Sequence, residues 1–164
     1  MNLVKRPFGL GPPVSLFTLG TMRSIQSIEQ MYSVVKAAYS LGINHIETAS
    51  SYGPSERFLG DVLKRLNKIG LKPPGGWVIT SKLLPGSSLK EGKSQLNKLL
   101  GDLGISRLDN LAVHGLNLQE HLDWAISGEG AKLFEWARNK DLVGQIGFSS
   151  HGSIPLIQQA INSK

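Results

Sequence analysis

Glu47, Tyr52, Lys82 and His114 each stand at or just beyond the downstream end of a short apolar run. A carboxylate, a phenol, an ammonium and an imidazole are the parts of a proton relay. A phenol with an ordinary pKa near 10 is a weak acid at neutral pH, but a cation that stabilises its phenolate makes it a usable donor. Lys82 is such a cation if its tip reaches Tyr52. Glu47 would then hold Lys82 charged and in place, and His114 could donate a hydrogen bond to a substrate oxygen. General acid catalysis of this kind is worth about 10²–10⁴-fold, and well-placed donors add to it. Alone, each of these residue types is ordinarily structural; the set has meaning only if the fold gathers it.

The elements that must do the gathering can be read from pattern. Ile43–Ile46, Trp77–Thr80, Leu111–Val113 and Val143–Phe148 read as strands, the last running into Ser149-Ser150. Their ends recur at intervals of roughly 34 residues, the length of one strand plus one returning helix, which is the repeat of a (β/α) barrel with its reactive side chains at one rim. Val14–Leu19, closed by Gly20-Thr21, reads as a first strand. Between the strands lie amphipathic stretches with helix-entry signals. Ser27-x-x-Gln30 and Ser88-x-x-Glu91 have capping-box spacing, and Ser55 is a further candidate cap. Met31, Val34, Val35, Ala38 and Tyr39 form one apolar stripe, ended by Gly42; Phe58, Leu59, Val62, Leu63 and Leu66 form a second, and Leu89, Leu96, Leu99, Leu100 and Leu103 a third. His121 to Lys140 carries a fourth, which Gly128 and Gly130 are expected to break. Ser153 opens a last helix, with Pro155 in its first turn where a missing N–H costs little. Strands alternating with helices imply a parallel sheet with right-handed crossovers. The predicted fold is α/β, a partial (β/α)8 barrel of about five units over residues 1–164.

Composition narrows the function classes. The chain has 164 residues, 40% of them hydrophobic, and suits one domain. No apolar stretch reaches the roughly 18 residues a spanning helix needs, and the N-terminus, Met1 to Pro7, has charges without an apolar stretch behind them, unlike a secretory signal. Cysteine is absent, which excludes disulfides and thiolate-held metals within the chain. A cytoplasmic setting is expected. Eight of the basic residues fall between Asp61 and Lys98 against two acidic ones; without aromatic interleaving or a nucleic-acid motif this reads as solvated helix faces rather than a nucleic-acid surface. Gly9-Leu10-Gly11-Pro12-Pro13 begins like a dinucleotide fingerprint, but it lacks the third glycine and precedes a strand where that motif must follow one.

Five segments in order carry a family resemblance. His45-Ile46-Glu47-Thr48-Ala49-Ser50-Ser51-Tyr52-Gly53-Pro54-Ser55-Glu56 resembles the signature of the aldo/keto reductases: an acidic residue, Thr-Ala, a Tyr five positions after the acid, then Gly-x-Ser-Glu. Ile79–Lys82 resembles the family's third-strand lysine segment, and Leu111–Gly115 its fourth-strand histidine. Gly144–His151 resembles the fifth-strand segment whose polar pair meets the nicotinamide, and Gly20-Thr21-Met22 matches the first loop. The resemblance implies NADPH-dependent reduction of an aldehyde or ketone to an alcohol. Tyr52, Lys82, His114 and Glu47 would be the catalytic set, Gly20, Thr21, Met22, Ser149 and Ser150 the cofactor contacts, and a small carbonyl compound the substrate. No metal, membrane or nucleic-acid partner is implied. Glu47 departs from the family, which usually has Asp there. The extra methylene shifts its contact with Lys82 by about 1 Å, a displacement that can cost on the order of 10²-fold in rate.

A closed barrel has eight strands and about 250 residues, so the chain is expected to be the N-terminal part of such a barrel, holding the proton-relay half of the site without most of the cofactor half. Its exposed sheet edges would favour association, either with one another or with a complementary C-terminal half. Two other readings stay open. One is a non-catalytic, degenerate or split-barrel binding fragment. The other is a metal-dependent barrel hydrolase drawing on His45, Glu47, Lys82 and His114. His45, two residues before Glu47 on the same strand face, is expected to pack inside rather than to act as a ligand.

Overall fold

The computed structural model describes residues 4–163. Met1–Leu3, the start of the charged N-terminal segment that is unlike a secretory signal in sequence, and Lys164 lie outside them. The chain begins with a short antiparallel ribbon, β1 (Lys5–Arg6) paired with β2 (Val14–Ser15). Five parallel strands follow in sequence order: β3 (Leu19–Gly20), β4 (His45–Glu47), β5 (Val78–Leu83), β6 (Leu108–Val113) and β7 (Val143–Phe148). The returning helices are α1 (Ile28–Ser40), α2 (Ser55–Lys68), α3 (Leu89–Leu103), the pair α4 (Gln119–Ile126) and α5 (Glu129–Asn139), and α6 (Ile154–Asn162) after β7. This is the expected partial barrel: an open arc of five strands with helices outside. Among the described residues no helix is long and apolar enough to cross a membrane.

The first predicted strand is corrected. Val14–Leu19 does not run as one strand. Its first two residues belong to the ribbon, and only Leu19-Gly20 join the parallel sheet, opposite Ile46 and Glu47. A side-chain lock forces the break. The Ser15 amide donates to Asn44 Oδ1 at 2.7 Å, the Asn44 amide donates to Ser15 Oγ at 3.2 Å, and Asn44 Nδ2 donates to the Pro13 carbonyl at 3.1 Å.

The helix signals mostly perform as read. Ser88 and Glu91 form a reciprocal capping box. Ser27 caps α1 by accepting from the Gln30 amide, but the Gln30 side chain reaches the amide of Gln26 instead of closing the box. Gly42, at φ 77°, ends α1 in the left-handed conformation that favours glycine. Ser55 is corrected: Pro54 stands at the helix boundary, and Ser55 is buried inside the first turn of α2. The Gly128 break divides α4 from α5 as expected, while Gly130 lies within α5.

The core lies between the outer face of the sheet and the helices, where Leu59, Val62 and Leu66 of α2 meet Leu96, Leu99 and Leu103 of α3. Each such leucine, fully buried, contributes about 1.5–3 kcal/mol. All six residues of β5 are buried, the even-numbered ones on the sheet's inner face. At the far edge, β7 is mostly half-exposed and Gly147 is open to solvent. The arc is therefore tight at its centre and loose at β7.

Candidate active site

The loop after β4 shapes the site. The Thr48 amide donates to the Thr80 carbonyl at 2.9 Å and the Ser50 amide to the Lys82 carbonyl at 3.3 Å, so the chain follows β5 beyond the end of its own strand. A tight turn, with the Tyr52 amide on Ala49 O at 3.0 Å and Gly53 at φ 57°, then brings Tyr52 back over the strand ends. Behind the turn, Ser55 Oγ donates to Thr21 Oγ1 at 2.8 Å and meets Thr48 Oγ1 at 3.0 Å. Thr21 in turn gives both its amide and its hydroxyl to the Glu47 carbonyl, each at 3.1 Å. This buried hydroxyl cluster fixes the backbone on both sides of Glu47.

Lys82 is the centre of the site. Its Nζ is ion-paired with the Glu47 carboxylate, donates to the Thr48 carbonyl at 3.1 Å and to the Tyr52 hydroxyl at 3.2 Å, and lies 4.9 Å from the Tyr52 ring centroid. Glu47 therefore reaches Lys82 despite its extra methylene. Burial draws the Lys82 pKa down to about 8, so the ammonium still predominates at neutral pH, where the adjacent carboxylate favours it. The His114 ring meets the Tyr52 ring edge-on, with centroids 5.5 Å apart and planes at 85°. Its Nδ1 is 3.0 Å from Ser51 Oγ. Burial first, and repulsion from the Lys82 ammonium second, hold its pKa below the usual imidazole value, so the ring is neutral at pH 7.

The structure thus brings Glu47, Tyr52, Lys82 and His114 together. The five residues read as cofactor contacts are placed differently from one another. Gly20 has no heavy atom within 4 Å of where a Cβ would stand, and Met22 is half-exposed beside it. The Thr21 hydroxyl is buried in the cluster behind Glu47. Ser149 lines the inner hollow of the arc and accepts from the Gly115 amide at 3.1 Å, with only a long 3.5 Å contact to Val113 O for its own hydrogen. The Ser150 hydroxyl is fully engaged, donating to Leu116 O at 2.5 Å and accepting from the Gly152 amide at 2.9 Å.

Sequence reasoning passed over Ser51, the Thr48 carbonyl, and a polar layer one step below the site. In that layer His45 contacts Thr18 Oγ1 and Thr80 Oγ1 through its two ring nitrogens, each at 2.8 Å. Asn110 donates to Thr80 at 3.1 Å, and Gln145 donates to Asn110 at 2.8 Å. Strand parity was the available signal, since Thr80, Asn110 and Gln145 share the inward register of Lys82, Ala112 and Gly147. His45 is interior, as expected. Among the described residues no three His, Cys, Asp or Glu side chains cluster as a metal site would, and both ring nitrogens of His45 are engaged by hydroxyls.

Comparison with known proteins agrees with this geometry. Residues 17–164 match the model of the aldo/keto reductase family. A protein of Pseudomonas aeruginosa named as an aldo-keto reductase superposes with a TM-score of 0.80 at 27% identity, covering 96% of this chain and 63% of its own. The holo form of a Bacillus halodurans aldo-keto reductase gives 0.81 at 20% identity, covering 99% and 55%. A Bombyx mori aldo-keto reductase in complex with NADP gives 0.79 at 21% identity, covering 100% and 55%. The chain thus spans between 55 and 63% of the length of these solved structures. The family match covers nearly the whole chain and its motif residues meet at one rim of the sheet: the chain belongs to the aldo/keto reductase family.

Proposed function

We propose that the chain carries the proton-relay half of an NADPH-dependent oxidoreductase that reduces aldehydes or ketones to alcohols. One observation carries the reading: the Tyr52 hydroxyl lies 3.2 Å from a buried lysine that is itself paired with Glu47. Bound NADPH would supply a hydride to the carbonyl carbon. Tyr52 then gives its proton to the carbonyl oxygen, leaving a phenolate that the Lys82 ammonium stabilises. Glu47 and the Thr48 carbonyl hold that ammonium in place. Neutral His114 donates a hydrogen bond to the same oxygen and orients it before transfer.

The inner hollow fits the nicotinamide end of such a cofactor. It is concave, about 410 Å³, and lined by Lys82, Gly147, Phe148 and Ser149 among others. Gly147 leaves its floor flat, with nothing within 4 Å of where a Cβ would stand, and the Ser149 hydroxyl, whose hydrogen makes only a long 3.5 Å contact with Val113 O, would turn it to a carboxamide oxygen. Gly20 and Met22 would border the cofactor from the first loop. Thr21 and Ser150 hold the loops that present these contacts. Among the described residues Lys82 is the only lysine or arginine lining the hollow, so the cofactor phosphates need a grip from elsewhere. The three further strands of a closed barrel, supplied in the same polypeptide or by a partner docking on β7, would provide it.

The test is reduction of an aromatic aldehyde by NADPH, followed as loss of the reduced nicotinamide absorbance. The chain is assayed alone and with the remaining barrel segment of a homologue. Reduction that appears on completing the barrel and falls about 10²–10⁴-fold in Tyr52→Phe is the expected result. The open β7 edge favours one competing reading, a non-catalytic binding fragment, which requires no quenching of NADPH fluorescence and no effect of Tyr52→Phe.

A further inference from the structure

Ser51 sits in the turn between Ala49 and Tyr52, exposed to solvent, and reaches an imidazole 63 positions away. Its Oγ lies 3.0 Å from Nδ1 of His114. Among the described residues neither atom has another hydrogen-bond partner. The main chain at His114 is held on both sides, by its amide on Leu83 O at 2.8 Å and by the Gly115 amide on Ser149 Oγ at 3.1 Å. Edge-on contact with Tyr52 sets the plane of the ring. What the backbone and that contact leave open is which nitrogen of the ring carries its single proton.

That choice decides what His114 can do. A neutral imidazole has one donor and one acceptor nitrogen. With the proton on Nε2 the ring can donate to a carbonyl oxygen; with the proton on Nδ1 it would turn a lone pair toward that oxygen. We propose that Ser51 is a positioning residue, whose hydroxyl donates to Nδ1 of His114 and so holds the ring proton on Nε2, facing the substrate oxygen. The inference rests on the reading of His114 as the carbonyl donor. Histidine tautomers are commonly set by the hydrogen bond the other nitrogen makes. Here the setter is a hydroxyl one residue before the proton-donating tyrosine, so one turn presents the acid and orients its neighbour.

Ring-nitrogen NMR on the ¹⁵N-histidine-labelled chain, in the pH range where His114 is neutral, reads the tautomer without cofactor or turnover. The signal is identified by its loss in His114→Gln. The expected result is the Nε2–H form in the native chain, a ratio moved about three- to tenfold toward Nδ1–H in Ser51→Ala, and recovery in Ser51→Thr. Ser51 is exposed, so neither substitution opens the core. A native chain in the Nδ1–H form, or a ratio unchanged in Ser51→Ala, overturns the proposal. The two readings fail separately. Tyr52-dependent reduction with an indifferent Ser51 removes only the role of Ser51. Absence of any Tyr52 effect removes the carbonyl-reducing reading, while the tautomer result still stands or falls on its own.

Discussion

Moving two residues along β4 and β5, from His45 and Thr80 to Glu47 and Lys82, changes the inner face of the sheet from a neutral layer to a charged one. In the lower layer polar groups answer one another from strand to strand. Thr18, His45, Thr80, Asn110 and Gln145 are linked in a continuous hydrogen-bonded row, which ends where Gln145 receives the Leu10 amide and donates to the Phe8 carbonyl. Buried polar groups paired in this way cost little and specify one arrangement. In the upper layer Glu47 and Lys82 carry full charges, and the matching positions on β6 and β7 are Ala112 and Gly147, which offer no polar side chain. The charge is left facing an open hollow. The period of two puts both layers inside; the difference in residue type makes one a brace and the other a site.

The comparison is broken most severely at Lys82. Lys82→Met keeps the volume and removes the charge. Carbonyl reduction should fall about 10²–10⁴-fold, while the thermal midpoint moves by only a few degrees, because Glu47 is partly solvent-exposed and can rehydrate. A variant that lost its fold along with its activity would show that the upper layer is a brace as well.

The lower layer should fail in the opposite way, through stability and in acid. Burial, and secondarily Arg6, lower the His45 pKa to about 4 from an ordinary 6.5. Between those values the unfolded chain binds a proton that the folded chain refuses. The stability contributed by neutral His45 is therefore complete above about pH 6.5 and lost as pH falls through about 4, a change on the order of 3 kcal/mol. Thermal midpoints measured across that window should drop steeply in the native chain and much less in His45→Gln. Equal slopes would mean that His45 is not held neutral by its row.

Much of the upper layer was legible in sequence, and almost none of the lower. Glu47, Tyr52, Lys82 and His114 are uncommon residue types at strand ends, and their order along the chain marks them. Thr80, Asn110 and Gln145 are commonplace residues whose partners lie about 30 positions away, so only strand parity hints at them. The Ser51–His114 contact has no local signal at all, since it depends on how the turn after Glu47 folds back. The strands β5, β6 and β7 announced themselves through β-branched and aliphatic runs. Val14–Leu19 misled for the reverse reason: its composition is that of a strand, and a side-chain lock to Asn44 overrides the propensity. Ser55 has the residue type of a cap, but its hydroxyl is held by Thr21 and Thr48 inside the protein.

A finer cut between the layers is available at Glu47. If the carboxylate serves to keep Lys82 protonated, reduction should decline as pH rises through about 8, where Lys82 loses its proton. Glu47→Gln removes the attraction that favours the ammonium. Its alkaline limb should shift to lower pH by about one unit, with a loss of about fivefold at pH 8. Glu47→Asp keeps the charge and should leave the limb where it is. Profiles of kcat against pH for the three forms separate an electrostatic role from mere packing.

The smallest effect is expected at the end of the lower row, where Gln145 clasps the Phe8–Leu10 loop to the edge strand β7. Its Oε1 accepts from the Leu10 amide at 2.6 Å and its Nε2 donates to both Phe8 O and Asn110 Oδ1. These bonds are partly solvated, so Gln145→Ala should cost about 1 kcal/mol. The loss should be local, because the loop meets the sheet at its loosest strand while β5 stays fully buried. Amide exchange should quicken at Leu10 and along β7 and remain unchanged at Ile79 and Leu111. Faster exchange throughout β5 would mean that the row transmits strain across the whole inner face, and that the brace and the site are one cooperative unit rather than two layers.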